Sequence, residues 1–197
     1  KAIEYHEQAL AIDREIGDRR GEGADLGNLG LAYAALGDAR KAIEYHEQAL
    51  AIDREIGDRR GEGADLGNLG RAYAALGDAR KAIEYYEQAV AIAREIGDRR
   101  NEGVWLGNLG SAYAALGDAK KAIEYHEQAL AIYREIGDRR GEAFSSWNLG
   151  LAYEKAGDLS RAAELMQICV GYEREIRHPD AEKDAAHLEA IRAKLKN

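Results

Sequence analysis

The chain has 197 residues, of which 36 are acidic and 28 basic, so its formal net charge at pH 7 is −8. The basic residues form no contiguous run that would neutralise a series of phosphates, which argues against nucleic acid as a partner. No stretch approaches the roughly 18 apolar residues of a membrane span. The amino terminus also lacks a basic-then-apolar signal pattern, so neither a membrane segment nor secretion is indicated.

A repeat with a period of 40 residues dominates the sequence. The first two copies differ at a single position, where Leu31 of the first copy becomes Arg71 of the second. The fourth copy is the most divergent, and a fifth begins at Arg161 and then loses the pattern. The four full copies occupy 1–40, 41–80, 81–120 and 121–160.

Two Gly-Asp pairs in each copy predict the ends of helices, as at Gly17-Asp18 and Gly37-Asp38. Glycine tolerates the left-handed conformation that ends a helix, and the following aspartate accepts from the first free amides of the next helix. Links this short place successive helices antiparallel. In chain order we predict a helix at 1–16 and hairpins from about 19–56, 59–96, 99–136 and 139–176, followed by a capping helix in 179–197. Residues 1–178 would form a single solenoid domain.

The hairpin interior is predicted from helical spacing in the first full hairpin. Leu29, Ala32, Tyr33 and Leu36 fall on one face and oppose a face formed by Ala42, His46, Ala49 and Ile56. Glycine inside a helix is unfavourable by about 0.5–1 kcal/mol, so Gly27 and Gly30 need a reason. Close packing of the two helices explains Gly30, and open space on the inner face explains Gly27.

The spacing of several short motifs resembles the tetratricopeptide repeat consensus. These motifs are Leu26-Gly27-Asn28-Leu29-Gly30, Ala32-Tyr33, Gly37-Asp38, Lys41-Ala42-Ile43-Glu44-Tyr45 and Ala49-Leu50. The 40-residue period and the segment GDRRGEG resemble the Pins/LGN-like branch and the repeat arrays of bacterial signalling proteins. The resemblance implies an all-α fold, an α-solenoid of antiparallel helical hairpins wound as a right-handed superhelix. The first helix of each hairpin would line the concave face.

The sequence gives no support for an enzyme. No glycine-rich phosphate loop follows a strand, because no strands are predicted. His6, His46 and His126 lie 40 or more residues apart, too far along a solenoid to share a metal ion, so we interpret them as packed histidines. The single cysteine, Cys169, lies in an apolar run and is interpreted as an inert core residue in a reducing, cytoplasmic protein. We therefore expect no catalytic residues, cofactor or metal site.

A ladder of asparagines is the clearest candidate site on the face that the resemblance assigns to binding. An amide both donates to and accepts from a peptide backbone, so the ladder would hold an extended chain of any sequence. The open alternative is that each amide bonds the next hairpin and only fixes the stacking. The ladder comprises Asn28, Asn68, Asn108 and Asn148.

Selectivity would come from positions where the copies disagree, three residues beyond each asparagine. These positions are Leu31, Arg71, Ser111 and Leu151, with Phe144 and Trp147 as apolar anchors. Tetratricopeptide domains that grip a carboxyl-terminal acid use basic residues in the groove. This chain has Gly27, Leu31 and Ala35 there, so an internal peptide segment is the better expectation.

The leading hypothesis is a protein–protein interaction scaffold that binds an extended peptide segment in its concave groove. The alternative is a structural array, engineered or recently duplicated, without an evolved ligand. The near identity of residues 1–40 and 41–80 motivates that alternative. The uncapped helix at 1–16 leaves apolar groups without cover and predicts self-association end to end.

Overall fold

The computed structural model describes residues 1–196, which form α-helices and no strands. The predicted fold class, an α-solenoid of antiparallel helical hairpins, is confirmed. No helix in this part of the chain is both long and apolar enough to cross a membrane. The helices are α1 (Ala2–Ile16), α2 (Arg19–Ala35), α3 (Ala39–Ile56), α4 (Arg59–Ala75), α5 (Ala79–Glu95), α6 (Arg99–Ala115), α7 (Ala119–Glu135), α8 (Arg139–Ala156), α9 (Leu159–Glu175) and α10 (Ala181–Leu195).

The helices belong to two compact units, Lys1–Asp98 and Arg99–Asn197. Unit 1 contains α1 to α5, and unit 2 contains α6 to α10. Within each unit every helix packs against the next one in sequence, and the first helices of successive hairpins, α2 with α4 and α6 with α8, also touch. The single solenoid domain over 1–178 stays a prediction.

The Gly-Asp pairs end one helix and begin the next, as at Asp38 and Gly57. Asp38 accepts a hydrogen bond from the backbone N–H of Lys41 at 3.1 Å, which satisfies one of the free amides at the start of α3. Gly57 ends α3 with a φ of 74°, in the left-handed region that glycine adopts without strain. The same device recurs along the chain and sets the short, antiparallel links.

The interior of the first full hairpin is largely as predicted. Leu29, Ala42, His46 and Ala49 are buried. A Cβ atom at Gly30 would lie only 2.6 Å from Nε2 of His46, which confirms that close packing requires the glycine. The prediction for Leu36 is wrong: its side chain is 71% exposed, because it lies at the C-cap of α2, where the chain turns away.

Buried ion pairs explain the segment GDRRGEG, which sequence reasoning left without a structural role. Glu62 is buried and accepts a hydrogen bond from Nε of Arg54 at 2.8 Å. Arg59 donates a second hydrogen bond to Glu62 and another to Glu95. A buried carboxylate is tolerated when two guanidinium groups satisfy its oxygens. The cluster links α3, α4 and α5, and Glu22 forms the equivalent cluster with Arg14 and Arg19 one repeat earlier.

Helix α10 packs against the last hairpin. Its buried side chains Ala181, Ala185, Leu188 and Ile191 pack against α9, where Met166 and Val170 belong to the same hydrophobic cluster. Leu195, the last residue of the helix, is 49% exposed. Asn197, the end of the predicted capping segment, lies outside the described residues.

Candidate functional site

The predicted site residues belong to the first helix of each hairpin. We call the surface that these helices form within a unit the first-helix face. In unit 1 this face is formed by α2 and α4, and in unit 2 by α6 and α8. It is defined by Asn28, Leu31, Asn68 and Arg71 in unit 1 and by Asn108, Ser111, Asn148 and Leu151 in unit 2.

Two cavities open on the first-helix face of unit 1. A cavity of about 280 Å³ contains both asparagines, Asn28 and Asn68, together with Leu31. A neighbouring cavity of about 290 Å³ is lined by Leu31, Asn68 and Arg71. The two cavities share Leu31 and Asn68 as lining residues, so the structure brings the asparagines and the variable positions of unit 1 together.

A corresponding cavity of about 380 Å³ lies on the first-helix face of unit 2. Asn108, Asn148, Ser111 and Phe144 all line it. Phe144 is 50% exposed, and the guanidinium carbon of Arg140 lies 5.7 Å from the centre of its ring. Leu151 is 39% exposed but does not line this cavity.

The four asparagine amides make no hydrogen bond to any other residue within 1–196. Asn28 is exposed, and Asn68, Asn108 and Asn148 are half-buried. The stacking alternative requires each amide to bond the neighbouring hairpin, and no such bond is present in the described chain. The amide donors and acceptors are therefore available on the first-helix face.

The four variable positions offer different chemistry. Leu31 is 46% exposed, and Arg71 is exposed and forms no ion pair within residues 1–196. The hydroxyl of Ser111 donates to the carbonyl oxygen of Gly107 at 3.2 Å, one turn back in α6, which leaves its oxygen free to accept. The surface thus carries an apolar and a basic group in unit 1, and a hydroxyl and an apolar group in unit 2.

The two predicted anchors have different surroundings. Trp147 is half-buried, packs against the core cluster of unit 2, and has its ring 5.7 Å from that of His187 in α10. Phe144 is open to solvent at the cavity. Trp147 therefore has a packing role, whereas Phe144 is half exposed and contacts the guanidinium of Arg140.

A group of carboxylates on the first-helix face of unit 1 was missed by sequence reasoning. Asp53, Asp58 and Asp65 line the same cavity as Asn28 and Asn68. Asp65 Oδ1 lies 2.8 Å from Nδ1 of His46. Burial first, and then the nearby Asp65 and Asp58, raise the pKa of Asp53 to about 7.

The sequence did hold a signal for these carboxylates. The copies disagree at the positions of Asp53 and Asp65, and they change at both positions together. The first two copies have Asp at each position, the third has Ala93 and Trp105, and the fourth has Tyr133 and Ser145. Paired variation of this kind indicates that the two positions serve one purpose.

The equivalent cavity of unit 2 is basic and aromatic rather than acidic. Its carboxylate, Asp138, lies 3.2 Å from the guanidinium of Arg100, and Arg140 and Tyr133 also line the cavity. The two first-helix faces therefore share the asparagines but differ in charge.

Two further candidate reactive groups, His126 and Cys169, are buried. Burial lowers the pKa of His126 to about 4, so the ring is neutral at pH 7. Cys169 is buried, and burial raises the pKa of its thiol to about 12, so the reactive thiolate is scarce. Within residues 1–196 no three His, Cys, Asp or Glu side chains are arranged to hold a metal ion.

A sequence model of the tetratricopeptide repeat matches the chain at residues 1–55, 26–95, 64–135 and 101–167. The chain belongs to the tetratricopeptide repeat family. Proteins built from this repeat are generally scaffolds for protein interaction and are typically not enzymes. The predicted family is confirmed, whereas the Pins/LGN-like branch stays a prediction.

Solved tetratricopeptide-like structures share the fold. BtubC from P. vanneervenii is 20% identical, with a TM-score of 0.79, and the match covers 100% of this chain and 91% of that one. A protein from Podosopora anserina whose tetratricopeptide-like repeats are nearly identical to one another is 24% identical to this chain. The TM-score is 0.66, and the match covers 88% of this chain and 96% of that one. A signal transduction ATPase with a tetratricopeptide repeat sensor, from Pyrococcus horikoshii, is 24% identical, with a TM-score of 0.75 over 86% and 26%. No curated protein sequence matches the chain.

Proposed function

We propose that this tetratricopeptide array is a non-enzymatic, cytoplasmic scaffold that holds an internal, extended segment of another protein against its first-helix faces. One observation carries the proposal: the amides of Asn28, Asn68, Asn108 and Asn148 line cavities on these faces and have no hydrogen-bond partner within residues 1–196. Polar groups on a half-buried surface are ordinarily satisfied by protein or by water. A bound peptide backbone would satisfy both the donor and the acceptor of each amide.

The spacing within a unit suits an extended segment. Neighbouring helices pack about 8–10 Å apart, and an extended chain advances about 3.3 Å per residue. Asn28 and Asn68, or Asn108 and Asn148, would therefore meet the segment about every third residue. Because such contacts read only the backbone, they would fix the register of the segment without selecting its sequence.

Selection would come from the side chains beside the ladder. Leu31 and Phe144 offer exposed apolar surface, and Arg71 offers a guanidinium free of ion pairs within the described chain. Aromatic and arginine side chains dominate the binding energy of many interfaces. We propose that Arg71, Ser111 and Leu151, together with Leu31 and the two anchors, determine which segments bind.

A structural array without a ligand is the second candidate, because residues 1–40 and 41–80 differ only at Leu31 and Arg71. A groove tuned to one asymmetric ligand usually differs from repeat to repeat. In this chain the difference lies between the units, where the acidic cavity of unit 1 gives way to Arg140 and Phe144 in unit 2. That divergence favours the binding proposal.

The proposal is tested by selection of a displayed library of random 15-residue peptides on the whole chain. The comparison is with a chain that carries Asn68→Ala and Asn148→Ala, and the control carries Gln48→Ala and Gln88→Ala, which remove exposed amides from α3 and α5. Circular dichroism establishes that all three fold. Peptides enriched on the parent and control but lost on the asparagine variant would support the proposal. No enrichment on the folded parent would favour the structural array.

A further inference from the structure

We infer that the carboxylate-lined cavity of unit 1 accepts a lysine or arginine side chain of the bound segment, an inference that rests on the proposed function. The residues that would hold the cation are Asp53 and Asp58, with Asp65 behind them. All three line one cavity of about 280 Å³ on the first-helix face, beside Asn28 and Asn68.

Small residues of α2 leave this cavity open. A Cβ atom at Gly27 would lie 3.6 Å from Oδ1 of Asp65, an ordinary contact, so packing does not require glycine there. A Cβ atom at Gly23 would lie 3.3 Å from Oδ1 of Asp53, which is tighter. With Ala24 and Ala64 also on the lining, the carboxylates face space that no larger side chain fills.

Asp53 has no cationic partner within residues 1–196, although it is only 7% exposed. Its side chain is hydrogen-bonded only to another carboxyl group, that of Asp65, and the carboxylates of Asp58 and Glu62 are also near it. Buried carboxylates are normally paired or hydrogen-bonded. A cationic side chain of a ligand would provide N–H donors and the opposite charge, neither of which Asp65 supplies.

Each of the neighbouring carboxylates has a hydrogen-bond donor of its own, and none of these donors reaches Asp53. Asp65 bonds Nδ1 of His46 at 2.8 Å, and Asp58 accepts from the backbone N–H of Gly61 at 3.0 Å. Glu62 is held by Arg54 and Arg59. Repulsion from these carboxylates adds to burial in raising the pKa of Asp53, so its charged form is unfavourable until a cation arrives.

Arg20, the arginine that lines this cavity, does not neutralise its carboxylates. Arg20 lines the cavity, but it is exposed and forms no ion pair within residues 1–196. Its counterpart in unit 2, Arg100, does pair with the equivalent aspartate, Asp138, at 3.2 Å. The preference for a cation therefore belongs to unit 1, and unit 2 serves as an internal control.

The experiment uses the random peptide library described above on four whole-length proteins: the parent, Asp53→Asn, Asp58→Asn and Asp138→Asn. Asparagine caps a helix as well as aspartate, so the last two variants change only the charge at equivalent caps of unit 1 and unit 2. Peptides enriched on the parent should share a lysine or arginine at one fixed position. Replacing that residue with glutamine should weaken binding to the parent and to Asp138→Asn about tenfold or more, but binding to Asp53→Asn less than about twofold.

The outcomes separate this inference from the proposed function. Peptides that are enriched without a shared basic residue, or whose basic residue matters equally in Asp53→Asn, would overturn the inference and leave the scaffold proposal standing. The absence of any enriched peptide would overturn both. If Asp53→Asn does not fold, Asp53→Ala replaces it, because the third copy already has Ala93 at this position.

Discussion

Gly27 and Gly30 lie one turn apart in α2, and their nearest contacts determine whether each position can hold a Cβ atom. Both belong to the motif that resembles the repeat consensus, but the atoms around them differ. A Cβ atom at position 30 would lie 2.6 Å from the buried ring of His46, which Asp65 holds in place, whereas position 27 meets only Oδ1 of Asp65 at 3.6 Å. Packing therefore requires a glycine at position 30, whereas position 27 borders the open cavity and would admit a Cβ atom.

Replacing these glycines with alanine should therefore change stability in opposite directions. Gly30→Ala should destabilise the protein by about 1–3 kcal/mol because the methyl group overpacks against His46. Gly27→Ala should stabilise it by up to about 1 kcal/mol, because alanine favours the helix. Urea unfolding midpoints check both values, and equal shifts for the two variants would refute the distinction.

The pKa of Asp53 predicts a pH dependence of stability. Its folded pKa of about 7 is above the ordinary value of about 4, so the folded state holds a proton that the unfolded state releases. This contribution to stability is complete below about pH 4 and is lost as the pH rises through 7, at up to about 1.4 kcal/mol per pH unit. Asp53→Asn should lose less stability than the parent between pH 5 and pH 8 in urea unfolding. An unchanged pH dependence would contradict the raised pKa.

At the scale of the helix, the Gly-Asp pairs determine where each element begins and ends. Asp38→Ala should destabilise the protein by about 1 kcal/mol, because the N–H of Lys41 loses its acceptor at the start of α3. Asp38→Asn keeps an acceptor of the same shape and should be nearly neutral. Thermal unfolding of the two variants checks the difference, and an equally large loss for Asp38→Asn would assign the effect to charge instead.

The helices and the ladder were predictable because their signals are local. A cap needs only a glycine and an aspartate next to each other, and Asn28 and Asn68 stand out because every copy repeats them. The buried Glu62 and the carboxylate of Asp53 were not predictable in this way. Their roles depend on which residues α3, α4 and α5 bring together from up to 36 positions apart, as in the bond from Arg59 to Glu95.

At the scale of the whole molecule, α1 leaves an apolar surface uncovered. Tyr5, Ile12 and Ile16 are 77%, 56% and 68% exposed in the chain as given. Such a surface should promote self-association, so sedimentation velocity of this chain should show a concentration-dependent increase in mass. Ile12→Glu with Ile16→Glu should abolish the increase, and Leu116→Glu in unit 2 should not. A parent that stays monomeric at several hundred micromolar would rule the idea out.

The two units share the asparagines of the first-helix face but differ in the side chains around them. The asparagines recur in both, whereas unit 1 adds Asp53 and Asp58 to its cavity, and unit 2 adds Phe144 and Arg140. Under the proposed function, the cavity of unit 1 would select a ligand by charge and the cavity of unit 2 by apolar contact. The central claim, however, is that the asparagine amides grip the peptide backbone.

The most direct test of that claim is a double-mutant cycle between an asparagine and a backbone amide of a selected peptide. The peptide is made with single amide-to-ester replacements at successive positions, and its affinity is measured for the parent and for Asn68→Ala. We predict one position at which the ester weakens binding to the parent about three- to tenfold and has no effect on binding to Asn68→Ala, because the lost hydrogen bond is the same one. Ester effects that are identical in both proteins at every position would show that Asn68 does not hold the backbone.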